Sequence, residues 1–192
     1  MKFLITNKSL PENPRLQDFD EAVQLHHFWR SVVIAFFVAM IAVIILQLGI
    51  NYTFHVSPEY SLPLLRYLAF LFATVLVHEL IHIVFLLKHW KELYFVVQPN
   101  AAAVGFVVDD FIRRQELLVA IGAPLLILSF VPYAVMMILG HFEMNVFIVV
   151  CMNLYMSISD CVMLRFIAKN SDRHDSIHFE NGSLHMRHKA GV

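Results

Sequence analysis

The chain has 192 residues, 59% of them hydrophobic and only 15% charged. An ordinary soluble domain carries about 25% charge and about 45–50% apolar residues, so the composition argues against a soluble enzyme and equally against a disordered chain. Fourteen basic and fifteen acidic residues leave a net charge of −1, which provides no basic face for nucleic acid. The two cysteines, Cys151 and Cys161, exclude a disulfide framework, and ten positions apart on one predicted helix they do not reach each other. The length suits one domain.

From the start, Met1 to Pro14 lacks the long apolar core of a signal peptide. Asn13-Pro14 reads as a helix start, with Asn capping and Pro in the first turn. Arg15–Arg30 mixes Leu16, Phe19, Val23 and Phe28 with charges and is expected to lie along the inner membrane surface. No Asp, Glu, Lys or Arg occurs from Ser31 to Pro58 or from Leu117 to Phe142, and both runs exceed the ~20 apolar residues that a spanning helix needs. Two further apolar stretches carry few charges, so four transmembrane helices are predicted, near 31–50, 62–87, 117–139 and 145–167. Pro124 and Pro132 predict kinks in the third.

Between the second and third helices, Leu93–Val97 and Val104–Val108 are β-prone, with Gln98-Pro99-Asn100 as a turn signal. This hairpin is expected to dip into the membrane, which requires protein to cover its backbone. In the tail, Asn181-Gly182 is a strong two-residue turn signal. It would pair Phe179 with Leu184 and Ile177 with Met186 on one face and His178 with His185 on the other, a polar face expected to be solvated.

The expected fold is thus an all-α integral membrane protein with an inter-helix β-hairpin and a C-terminal cytoplasmic β-hairpin. It divides into an interfacial segment (1–30), the transmembrane domain (31–167, core 60–167) and a tail (168–192). Lys2, Lys8, Arg15, Arg30, Lys88, Lys91, Arg113, Arg114, Arg165, Lys169, Arg173, Arg187 and Lys189 fall on one side, and Arg66 alone on the other. By the positive-inside rule both termini of this multi-pass cell-membrane protein are cytoplasmic, and the 51–61 and 140–144 loops face outward.

The second predicted helix reads Val77-His78-Glu79-Leu80-Ile81-His82-Ile83. Ionisable groups at that depth cost several kcal/mol, roughly 2.5–3.5 each for charged residues, so something must compensate. His78 and His82, four apart, project from one helix face a turn apart. That is the geometry two imidazoles need to share one zinc ion, with Glu79 beside them to take a proton from zinc-activated water. A catalytic zinc site keeps three protein ligands and one open position. Asp160 is the other acid well inside a span. His82 lies ~9 Å from the inner helix end marked by Lys88, and Asp160 ~8 Å from that marked by Arg165, at ~1.5 Å per residue. The depths match, so Asp160 is the expected third ligand. Asn153, Ser157 and Asp160 share a face, and Asn153 is a candidate contact to substrate or transition state.

A His-Glu-x-x-His helix, one intervening helix, then a helix bearing Asn and Asp resembles the three-helix core of site-2 proteases. The run Phe111-Ile112-Arg113-Arg114-Gln115 into Gly122-Ala123-Pro124, with Asp160 late in the last helix, is similar to a small family of bacterial zincin membrane peptidases defined as a domain of unknown function. The resemblance covers residues 60–167. It departs from site-2 proteases at Met156, where their pattern has Pro, in the seven-residue rather than eight-residue spacing of Asn153 and Asp160, and at Cys161 in place of Gly. It implies an intramembrane zinc metalloprotease with one Zn²⁺ on His78, His82 and Asp160, Glu79 as general base, and a membrane-protein or membrane-peptide substrate. Two other classes fit the same residues: a membrane zinc hydrolase acting on a lipid or small amide or ester, and a non-enzymatic metal-binding or transport protein. Transport would need ligands along a path, and the first and third helices offer mainly Gln47 and Ser129.

Overall fold

The computed structural model describes residues 2–5, 21–24, 28–55, 64–98, 103–180 and 183–187. The expected helix start at Asn13-Pro14 and the turn residues Pro99, Asn100, Asn181 and Gly182 lie outside them. The described residues are mostly helical. Helix α1 runs Phe28–Phe54, α2 Leu64–Phe85, α3 Arg114–Leu125, α4 Val131–Leu139, α5 Met144–Met156 and α6 Ile158–Asn170. A π-helical turn, Leu126–Phe130, joins α3 to α4, so Arg114–Leu139 is one long apolar element. Among the described residues three helices are long and apolar enough to cross a membrane, or four if α5 and α6, bent by 49° at their junction, form one span. The expected single fourth helix is therefore broken at Ser157.

Two compact units group the chain. One comprises His27–Ile81 and Gly122–Met163. Its core is Ile50 of α1, Met136 of α4 and Phe147 of α5, with Leu46, Tyr133 and Phe142 packed around them. Gly49 lets α1 approach α4, because a Cβ there would stand 2.7 Å from the Tyr133 hydroxyl. That hydroxyl donates to the Leu46 carbonyl at 3.3 Å. Helix α4 ends at Gly140, whose φ of 62° closes the helix in the left-handed region. Glu143 then caps α5 by accepting from Asn145 N. Long apolar side chains on these helices face outward: Ile45 is 61% exposed and Ile138 81%.

The other unit comprises Met1–His26, His82–Ile121 and Leu164–Val192. It carries the strands β1 (Lys2–Ile5), β2 (Glu21–Gln24), β3 (Leu93–Gln98), β4 (Ala103–Val108), β5 (Ile112–Arg113), β6 (Ser176–Glu180) and β7 (Ser183–Arg187). Both expected hairpins form. The tail pairs Ile177 with Met186, His178 with His185 and Phe179 with Leu184, as the turn signal predicts. Each hairpin also gains strands that the sequence reading did not foresee. Strand β1 pairs parallel to β3, β2 pairs antiparallel to β7, and β5 pairs antiparallel to β6. Residues 21–24 of the expected interfacial segment are thus strand. His178 is 3% exposed, not solvated as expected. Ile112 and Ile177, directly paired, fill the sheet face that the two-residue alternation assigns to the core. Ile112 also packs with Leu86 and Ala120.

Candidate metal centre

His78 is buried at 3% exposure, and His82 follows one turn later on α2 with partial burial. Glu79, between them, is also partly buried. From α6, the Asp160 carboxylate brings Oδ2 to 3.1 Å from His78 Nε2. Ligand atoms of His78, His82 and Asp160 all lie within 4.8 Å of one another. The three ligands expected from spacing and depth are therefore gathered, across a sequence gap that no local rule spans.

The outer hydrogen bonds decide which ring nitrogens face inward. Asn153 Nδ2 meets the Pro124 carbonyl at 3.0 Å and Ser129 Oγ at 2.8 Å. A carbonyl only accepts, so the amide nitrogen is on that side and Oδ1 is on the other. Oδ1 lies 2.8 Å from His78 Nδ1, and an oxygen acceptor there requires Nδ1 to carry the proton. His82 Nδ1 likewise donates to the Ala120 carbonyl at 2.8 Å. Nε2 is then the nitrogen that each ring leaves for a metal, the usual arrangement of metal-binding imidazoles.

These tautomers test whether the residues fit a zinc ion. His78 Nε2 faces a carboxylate oxygen at 3.1 Å. A cation between them, a proton or a metal ion, holds such a pair together. Ligands about 2.0–2.1 Å from one tetrahedral zinc stand about 3.3 Å apart, close to the distance seen. Two imidazoles and one carboxylate are also a zinc-type donor set that leaves a position open. The residues fit.

Asn153 is 0% exposed, and its Oδ1 and Nδ2 engage His78, Pro124 and Ser129. It stands behind His78. Ser129 Oγ in turn donates to Val150 O at 3.2 Å. Gln47, the other polar group considered for a conduction path, bonds Asn51 of its own helix at 2.7 Å. The sequence reading did not name Ala120, and it took Pro124 as a kink and Ser129 as a polar group on a path, not as partners of the site. A usable signal was present, because every helical proline deprives the carbonyl four residues earlier of its donor.

Residues 70–173 match the model of a protein family described as "Putative zincin peptidase". The chain belongs to that family. The matched span contains His78, Glu79, His82, Asn153 and Asp160, and also the Phe111–Gln115 run. No curated protein and no solved structure matches the chain.

Proposed function

We propose that this zincin-family protein is an intramembrane zinc metalloprotease, cutting peptide bonds in or near transmembrane segments of other membrane proteins. The observation that carries the reading is the convergence of His78, His82 and Asp160 on the helix whose His-Glu-x-x-His run also holds Glu79. Apolar side chains as exposed as Ile45 and Ile138 support a bilayer around the helices, since in water such a surface would be an aggregation liability. In this reading the protein is a multi-pass membrane protein with a core similar to that of site-2 proteases.

His78, His82 and Asp160 would hold one zinc ion. Bound there, zinc would lower the pKa of a coordinated water toward ~7 and polarise the scissile carbonyl. Glu79 then takes the proton from the attacking water on a carboxylate oxygen and returns it to the leaving amide nitrogen. Asp160 would complete the ligand set from the far side of the metal position, and Asn153 holds His78 from behind. The substrate segment must unwind locally, because a helical peptide bond is shielded by its own hydrogen bonds. The β3–β4 hairpin is suited to receive such an extended strand along a free edge.

Replacing Glu79 by Gln tests the mechanism. The variant should keep its zinc by elemental analysis and lose cleavage of a reporter membrane peptide by ~10²–10⁴-fold. Undiminished cleavage by Glu79→Gln would remove Glu79 from the chemistry. Wild-type protein that leaves every membrane peptide intact but hydrolyses a lipid amide or ester would move the substrate class.

A further inference from the structure

Helix α3 carries a proline in its interior, and its consequences fall on the two histidines. In an α-helix the carbonyl of residue 120 accepts from the amide of residue 124. Residue 124 is Pro, which has no N–H, so the Ala120 oxygen lacks its helical donor. Ala120 is 0% exposed, and an acceptor shut away from water needs a partner. His82 Nδ1 is that partner, at 2.8 Å.

The same stretch of chain acts on His78. The Pro124 carbonyl accepts one amide hydrogen of Asn153 at 3.0 Å. Ser129, in the π-helical turn that follows, accepts the other at 2.8 Å. Ser129 sends its own proton to Val150 O, so every bond in the chain has a fixed direction. The outcome is that Asn153 turns Oδ1, and nothing else, to His78 Nδ1.

We infer that the proline-and-π break at Pro124–Phe130 is the positioning element of the metal centre: it offers a backbone acceptor to His82 and, through Asn153, a side-chain acceptor to His78, locking both rings with the proton on Nδ1 and Nε2 as ligand. Pro124 and Asn153 are positioning residues, beyond the kink and the substrate contact that their residue types suggest. The functional meaning rests on His78, His82 and Asp160 being zinc ligands. The tautomers do not.

The test uses full-length protein in nanodiscs, labelled with ¹⁵N at histidine, with signals assigned through His78→Asn and His82→Asn. Metal-free wild type should show Nδ1 protonated on both rings. Pro124→Ala returns an amide proton to the Ala120 oxygen, so His82 should lose its fixed Nδ1 proton while His78 keeps it. Asn153→Ala should do the reverse. Each variant should bind zinc roughly 10–100-fold more weakly in competition with a chromogenic chelator, the usual effect of losing an outer partner of a ligand. An unprotonated Nδ1 at either histidine in wild type, or wild-type zinc affinity in both variants, overturns the inference. Should Pro124→Ala fail to fold, the wild-type tautomers and Asn153→Ala decide. Wild type that takes up no zinc overturns the metal reading alone, because the spectra of metal-free protein still test the positioning.

Discussion

Asp160 Oδ2 stands 3.1 Å from His78 Nε2, where one metal ion would be shared between them. Asp160→Asn keeps the shape of the side chain but removes its anionic donor. Zinc at 100 times its Kd should stabilise wild type by about 2.7 kcal/mol and leave the variant almost unmoved. Thermal melts in chelator and in buffered zinc measure both shifts. A zinc-induced shift as large in the variant as in wild type would remove Asp160 from the ligand set. The candidate ligands themselves were legible: His78 and His82 from spacing, Asp160 from depth counted along two helices. Asn153 was visible as a polar residue in a span. Its place behind His78 was not, because that depends on Pro124 and Ser129, which lie on another helix.

Among the elements, the first three apolar stretches were read within a few residues of where the helices lie, since charge gaps and caps mark them. The bend between α5 and α6 was not read. No Pro or Gly occurs there, and Ser157 keeps both backbone bonds, to Asn153 O at 2.8 Å and from Cys161 N at 2.9 Å. The axis turns without a breaker, so local rules pass over it. The packing of α1 on α4 is sharper and can be tested. Alanine at position 49 should gain up to ~1 kcal/mol of helix propensity over glycine, but its Cβ would stand 2.7 Å from the Tyr133 hydroxyl. Removing that hydroxyl relieves the clash. Gly49→Ala should therefore destabilise wild type yet stabilise the Tyr133→Phe background. A double-mutant cycle of melting free energies should show a coupling of about 0.5–3 kcal/mol. Simple additivity would mean that α1 does not press on Tyr133.

At the scale of the whole molecule, strand pairing constrains how the chain would cross a bilayer in the proposed membrane reading. Strands hydrogen-bonded to each other must lie on one side, so an even number of crossings separates them. Strands β1 and β3 are paired, and α1 and α2 lie between them. Strands β5 and β6 are paired; between them lie the Arg114–Leu139 element and the bent α5–α6 pair. The parity is even only if the bent pair crosses once, and it fails if that pair turns back as a re-entrant loop. The β2–β7 pairing then requires an even total, which four crossings satisfy. The charge asymmetry of the sequence points to the same four-span arrangement by unrelated physics. The strand partners were invisible in the sequence because they join segments far apart in the chain, where alternation says that a strand exists but not what it pairs with. The prediction concerns two exposed residues, His141 between α4 and α5 and His174 between α6 and β6. With Cys151 and Cys161 replaced by Ala, a cysteine at 141 should react with a membrane-impermeant maleimide in intact cells. A cysteine at 174 should react only after the cells are opened. Labelling of both in intact cells would mean that α5–α6 returns to the outer face, and the β5–β6 pairing could not then exist in the membrane. Labelling of 174 and not of 141 in intact cells would reverse the orientation, while the parity argument would stand.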